Sequence, residues 1–330
     1  MKKILIVTSE YPTKSRQNDV PWLREQVTNF NRIGLDTTVY RIPNESIIEK
    51  FKATIGLRKL IKKRRFSLIH CHWGYNTIIA YNSIIPIITT FHGSDLQGDV
   101  KENGSRTIKG YIIIFLSRVS TLLSYYNIFV SARLARSIPR KALNKKNIII
   151  PMGYDSKLFK PIDKSVARDM LSLDLQKKYV LFAGNYSKFV KGYPLAMKVI
   201  NSLDESYELI KLDYASYKEM AIYMNASDVL LMTSYQEGAP VIIKEALACN
   251  LSVISTDVGD VKEIIKFVPG SFVSKERDPG KIANLITRSI EMDSTSVGSQ
   301  KMGKYTAKKM NNRVLGTYLD LLQKSQKFND

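Results

Sequence analysis

Short runs of β-branched and apolar residues alternate almost throughout the chain with longer stretches whose apolar positions recur every three or four residues. That alternation predicts parallel strands covered by helices. Strands are expected at 3–7, 37–40, 67–71, 87–91, 127–131 and 148–150 in the first half. In the second half they are expected at 179–183, 207–211, 229–232 and 252–255. The fold class is therefore α/β, with two doubly wound parallel sheets. The 330 residues exceed one ordinary core and suit two domains of roughly 150 residues. The join is expected at 155–163, where Pro161 follows the turn-like Pro151-Met-Gly-Tyr-Asp. Near the end, Val314, Leu315, Tyr318, Leu321 and Leu322 share one helical face, predicting an amphipathic helix that needs a surface to cover.

Two apolar stretches need separate reading. The start, Met1-Lys-Lys-Ile-Leu-Ile-Val-Thr-Ser, has a charged beginning, but four apolar residues are too few for a secretory signal, and it reads as a first buried strand. The tract 111–130 contains Arg118 and several hydroxyl residues, so no transmembrane segment is expected. Cys71 and Cys249 are the only cysteines, too few for a disulfide framework or a zinc site, which fits a cytoplasmic protein. Charge adds a further constraint: 50 Lys and Arg against 30 Asp and Glu give a formal net charge of +20. Such an excess attracts nucleotides, polyanions and anionic lipid surfaces without choosing among them.

The segment Ser234-Tyr-Gln-Glu-Gly-Ala-Pro-Val-Ile-Ile-Lys-Glu-Ala-Leu-Ala lies between the strands expected at 229–232 and 252–255. Strand, turn and helix place Glu237 at the carboxyl end of a parallel strand, where open α/β sheets bind ligands. Amides between Gly238, Ala239, Pro240 and Val241 surround the helix start and suit anionic oxygens, while Glu237 and Glu245 can accept hydrogen bonds from hydroxyls. The same pair is also compatible with a helix-dipole carboxylate and a solvated helix residue.

This segment, continued by Val253-Ile-Ser-Thr-Asp-Val-Gly-Asp-Val-Lys-Glu, resembles the C-terminal motif of retaining glycosyltransferases of family 4, the "glycosyl transferases group 1". The resemblance implies a GT-B fold: two Rossmann-like domains facing a central cleft, with the last helix returning to the N-terminal domain. The domains are then expected at 1–160 on the acceptor side, 161–311 on the nucleotide-sugar side, and 312–330 as a helix packing across them. It also implies that Glu237 binds the hydroxyls of the donor sugar and Glu245 the ribose. Val180-Leu-Phe-Ala-Gly-Asn-Tyr-Ser-Lys-Phe-Val-Lys-Gly matches a second motif, in which Lys191 would grip the diphosphate. Asn185 stands where the family carries arginine, so a hydrogen bond replaces a charge there. Lys188 is a substitute cation.

In the first half, Phe91-His-Gly-Ser-Asp-Leu resembles the family's reaction-centre segment, implying that His92 touches the transferred sugar and that Asp95 lies on the acceptor side. Leu68-Ile-His-Cys-His-Trp-Gly also matches and puts His72 and Trp73 beside the acceptor. No metal is expected: His70 and His72, separated by one residue on a strand, are read as pointing to opposite faces and so unable to join His92 in a ligand set. The resemblance further implies a hinge at Gly153, Asp155, Phe159 and Pro161. The first strand-to-helix loop lacks the family's glycines and offers Lys14 and Arg16 instead, suggesting a polar or anionic acceptor group near Arg16.

Together these readings predict a retaining, metal-independent transferase with a sugar nucleotide as donor substrate and no cofactor. The acceptor expected is a glycan or lipid-linked saccharide in cell-surface polysaccharide assembly. A nucleotide-sugar epimerase, or a silent nucleotide-sugar- or polyanion-binding protein, is the alternative. Nucleic acid is not expected, because no base-stacking or helix-turn-helix pattern is present. Residues 50–65 combine eight cations with Phe51, Ile55, Leu57, Leu60 and Ile61. A helix there would turn its apolar stripe to the sheet and its cations to an anionic membrane face, with peripheral membrane attachment as the consequence.

Overall fold

The computed structural model describes residues 2–12, 20–43, 47–82, 84–101, 105–213, 215–292 and 297–327. The chain forms two compact units: residues 1–151 with 308–330, and residues 152–307. The passages at 151/152 and 307/308 thus fall a few residues before the expected joins at 160 and 311.

The first unit carries β1 Lys3–Thr8, β2 Asp36–Arg41, β3 Leu68–His72, β4 Ile87–Phe91, β5 Tyr126–Phe129 and β6 Lys146–Ile149. They form one sheet in the order β2-β1-β3-β4-β5-β6 with every pairing parallel. Period-two alternation divides its core between two faces. Leu5, Val7, Ile69 and Cys71 meet Leu57 and Ile61 of the helix Ile47–Lys63 on one face. On the other, the Tyr318 ring of the C-terminal helix Ala307–Lys327 lies tilted 5.2 Å from that of Phe30 of the helix Pro21–Arg32. The last helix therefore does return to the N-terminal unit, as the resemblance implied. Arg313 also donates to the Ile149 carbonyl.

The second unit carries β7 Lys178–Ala183, β8 Tyr207–Leu212, β9 Val229–Met232, β10 Ser252–Thr256 and β11 Phe272–Ser274, in the parallel order β11-β10-β9-β7-β8. Only β11 was not expected; three residues are too short to show a strand period. Leu181, Leu230 and Val253 pack toward the helices Tyr217–Ala226 and Val241–Ala248. Val180, Phe182, Leu231 and Ile254 pack toward Tyr193–Ile200 and Pro279–Glu291.

The expected hinge segment is a clamp on the returning chain. Tyr154 pairs with Thr306 in a parallel bridge, with Tyr154 N–H donating to Tyr305 and Ala307 N–H to Tyr154. Asp155 Oδ1 accepts from Lys157 N–H, and Phe159 is buried against Tyr217.

Candidate active site

In each unit the strand order reverses direction beside the first strand, between β1 and β3 and between β7 and β9. Crevices at such switch points, at the carboxyl ends of the strands, are where open parallel sheets take ligands. The residues singled out from sequence collect at these two edges.

In the first unit, β1, β3 and β4 end side by side and deliver Ser9, His72 with Trp73, and His92. Trp73 has φ of +66°, a strained backbone for a bulky residue that persists only where its surroundings impose it. Here Trp73 N–H donates to the Thr90 carbonyl, and the Gly74 amide donates to Asp95 Oδ2. Gly74 is required by close approach: a Cβ there would lie 2.5 Å from Phe91 Cε1 and 2.7 Å from Ser117 Cβ.

His72 Nδ1 and His92 Nε2 lie 3.0 Å apart in a hydrogen bond whose donor depends on the tautomer. The His92 ring sits 4.8 Å from the Trp73 ring and 5.1 Å from Trp22. Burial pushes the His92 pKa down to about 3. It also depresses His72, with help from the neighbouring His70 and His92. These imidazoles are neutral at neutral pH, so they exchange hydrogen bonds and offer apolar faces but bring no positive charge. Asp95 has 0% exposure. Its carboxylate accepts from the amides of Gly74, His92, Gly93 and Leu96. Burial raises its pKa against those hydrogen bonds. Asp95 therefore positions the His92 and Trp73 loops from beneath rather than reaching out of the site.

The expected facing of the histidines is overturned. Residues i and i+2 of a strand share a face, and the His70 and His72 rings are 4.3 Å apart, while Cys71 points into the opposite core. Strand facing therefore does not separate His70 from His72. His70 has both ring nitrogens engaged, Nδ1 with Tyr318 Oη at 2.6 Å and Nε2 with Thr90 Oγ1 at 2.8 Å. Among the described residues, no group of three His, Cys, Asp or Glu is placed to hold a metal ion. Arg16 lies outside the described residues.

In the second unit, Lys191 follows β7 and Glu237 follows β9. Lys191 Nζ and Glu237 Oε1 form an ion pair at 2.8 Å, and Ser234 Oγ donates to the same oxygen at 2.9 Å. The two loops are laced together: Tyr235 N–H donates to the Val190 carbonyl, and Thr233 Oγ1 to the Gly192 carbonyl. Gly192 adopts φ of +70°, and a Cβ there would come within 2.1 Å of the Thr233 carbonyl oxygen, so only glycine fits. Asn185 turns its Oδ1 back to Ser187 N–H at 3.0 Å, and Lys188 is exposed.

Gly238 and Ala239 lead to Pro240, the N-cap of the helix Val241–Ala248. On that helix Glu245 is 6% exposed, not a solvated residue. Burial pushes its carboxyl up to about 8, opposed by Lys244 and assisted by Asp155. Lys244 is wholly buried and paired with Asp260 at 3.3 Å.

Several contributors were not expected from sequence. Trp22 covers His72 and His92, yet sits 50 positions before His72 with no spacing to connect them. Arg277 lies 3.5 Å over the Tyr235 ring and donates to the Thr233 and Ser234 carbonyls. Its position before Asp278-Pro-Gly carries no sign of that partnership. A cavity of about 660 Å³ at the opposite, amino edge of the first sheet, lined by Ser67, Pro86, Tyr125 and Lys145 among others, contains none of the expected site residues.

Two parallel α/β units with ligand edges of this kind define a GT-B protein. The solved sucrose-phosphate synthase of Thermosynechococcus elongatus matches 98% of this chain and 100% of its own, with a TM-score of 0.80 at 16% identity. The family model "Glycosyltransferase Family 4" matches residues 3–158, and "Glycosyl transferases group 1" matches 208–309. The chain belongs to the group 1, family 4 glycosyltransferases. A Bacillus subtilis protein named as a teichuronic acid biosynthesis glycosyltransferase, TuaC, is 24% identical over 79% of this chain and 82% of its own. The Escherichia coli UDP-Gal:alpha-D-GlcNAc-diphosphoundecaprenol alpha-1,3-galactosyltransferase is 23% identical over 74% of this chain and 72% of its own.

Proposed function

We propose that the protein is a retaining, metal-independent transferase moving a sugar from a nucleoside-diphosphate sugar to a hydroxyl of a glycan or lipid-linked saccharide, in cell-surface polysaccharide assembly at the cytoplasmic membrane face. The Lys191–Glu237 ion pair at the second unit's switch point carries this reading. A cation suited to a diphosphate and a carboxylate suited to sugar hydroxyls are held 2.8 Å apart by laced loops, so a ligand bearing both groups can replace the pair without leaving either charge alone. A UDP-sugar donor and a lipid-diphosphate acceptor appear in the name of the E. coli relative, and surface-polymer synthesis in that of the B. subtilis relative.

In this reading Lys191 and the amides near Gly238 hold the diphosphate, while Glu245 meets the ribose. The bond from the anomeric carbon to the phosphate oxygen breaks, and its electron pair stays on that oxygen. The acceptor oxygen bonds to the carbon on the same face, and its proton passes to the departing phosphate. Glu237 accepts hydrogen bonds from the sugar hydroxyls as positive character develops, and a neutral His92 is suited to the same sugar through its hydrogen bonds and its apolar face. Lys191 stabilises the leaving charge, so no metal is invoked.

The test is a nucleotide-sugar panel, read by thermal shift and by nucleoside-diphosphate release with and without a membrane lipid extract. One donor should stabilise the wild type, with release stimulated by lipid. Glu237→Ala should cut turnover by about 10²–10³-fold, and Lys191→Ala should weaken donor binding as well. A folded wild type that neither binds nor turns over any donor would overturn the proposal.

A further inference from the structure

The cavity at the amino edge of the first sheet stands apart from both ligand edges and has a chemistry of its own. Its volume of about 660 Å³ is that of a small-molecule pocket. Lys2, Ser67, Pro86, Tyr125 and Lys145, the residues immediately before β1, β3, β4, β5 and β6, form one side. Leu321, Leu322 and Lys324 of the helix Ala307–Lys327 form another.

Internal bonds fix these walls in place. Asp320 accepts from Lys146 Nζ at 3.3 Å, from Lys324 Nζ at 2.7 Å and from the Tyr126 hydroxyl, tying the last helix to the starts of β5 and β6. Lys146 Nζ also lies 5.3 Å over the Tyr125 ring. Main-chain donors around the cavity are already engaged: Ser67 N–H on the Lys3 carbonyl, Tyr125 N–H on the Ile87 carbonyl, and Ile84 and Ile85 N–H on Asn82 Oδ1. Ser124 Oγ donates to the Ser120 carbonyl and meets Thr89 Oγ1. A polyhydroxyl compound would find few partners here, whereas a flat apolar ring finds Tyr81, Leu123, Tyr125 and Leu321 in the lining.

Charge sets the rest of the ligand's character. Lys2, Lys145 and Lys324 line the cavity and, among the described residues, no Asp or Glu does. Asp320 holds Lys324, which leaves Lys2 and the exposed Lys145 to meet a ligand. We propose that this cavity is a binding site for an aromatic organic anion, a compact ring system bearing a carboxylate or an equivalent group, with the ring on the tyrosine and leucine wall and the anionic group at Lys2 and Lys145. A molecule seated there braces the helix whose Tyr318, one turn before Leu322, bonds to His70. The site shares no residue with the donor and acceptor edges, so it stands or falls independently of the transferase reading.

The full chain is titrated with anilinonaphthalene sulfonate and, in parallel, with the uncharged phenylnaphthylamine, and binding is read from the emission of each probe under direct excitation. Wild type should bind one sulfonate probe saturably, and the uncharged probe at least about tenfold more weakly. Lys145→Glu, at an exposed position, should weaken sulfonate binding about tenfold and leave the uncharged probe unaffected. Tyr125→Ser should weaken both. Phe51 and Ile55, expected to face the sheet, point outward and do not line the cavity, so Phe51→Ser should bind like wild type. The proposal is overturned if wild type shows no saturable binding, if the uncharged probe binds as tightly as the sulfonate, if Lys145→Glu and Tyr125→Ser both bind like wild type, or if UDP displaces the sulfonate, which would put the probe at a ligand edge instead.

Discussion

The two units build their ligand edges on the same parallel-sheet geometry but with opposite electrostatics. The first edge is aromatic and neutral, with His92 among His72, Trp22 and Trp73. The second is ionic, with Lys191 against Glu237 and, deeper, Lys244 against Asp260. One topology thus serves two chemistries: flat apolar faces and neutral hydrogen-bonding groups suit a sugar ring, whereas fixed charges suit a diphosphate. The fold supplies the position of each edge, and the side chains at the strand ends supply its character.

The contrast extends to pH and can be broken there. Burial holds His70 and His92 at about 3, below their unfolded value. Their contribution to stability is therefore present above about pH 6.5 and lost as pH falls toward 3. Between neutrality and pH 4 each should cost about 3 kcal/mol. Both tryptophans belong to the first unit, so fluorescence reports its acid unfolding directly. His92→Gln should make that loss shallower; an unchanged acid transition would remove the neutral-edge account.

The second edge should respond in the other direction. Glu245 is raised to about 8, so its folded form holds a proton that the unfolded chain releases near 4.5. Stability is full below the lower value and falls by about 3–4 kcal/mol between pH 5 and pH 8. Glu245→Gln should flatten this slope in urea titrations, and an unaltered slope would show Glu245 to be ionised in the folded protein. The smallest effect sharpens the comparison within the first unit. Tyr318→Phe leaves His70 Nδ1 buried without its 2.6 Å partner and should cost about 1–2 kcal/mol by denaturant melting, with little effect on the second edge.

The strand pattern was legible because parallel strands buried on both faces read as continuous apolar runs; β11 escaped because three residues carry no period. The motifs around His92, Lys191 and Glu237 were legible because each joins a strand end to the next helix within a few residues. Misreadings arose where orientation mattered. His70 and His72 were set on opposite faces although a two-residue step keeps one face, and Phe51 and Ile55 were turned inward although the buried stripe of their helix runs through Leu57 and Ile61. Asp95, expected on the acceptor side, is buried and holds four backbone amides, a loop-positioning role that only the packed structure displays.

By itself the sequence determined the two α/β units, their strand ends and the residues brought to them, because hydrophobic period and loop length are local properties. Tertiary structure alone decided that Trp22 covers His92, that Arg277 braces the Glu237 loop, that Tyr318 reaches His70 across 248 positions and that Glu245 is buried. Each depends on contacts between distant segments, and burial, which sets both charge state and exposure, exists only after those segments have packed.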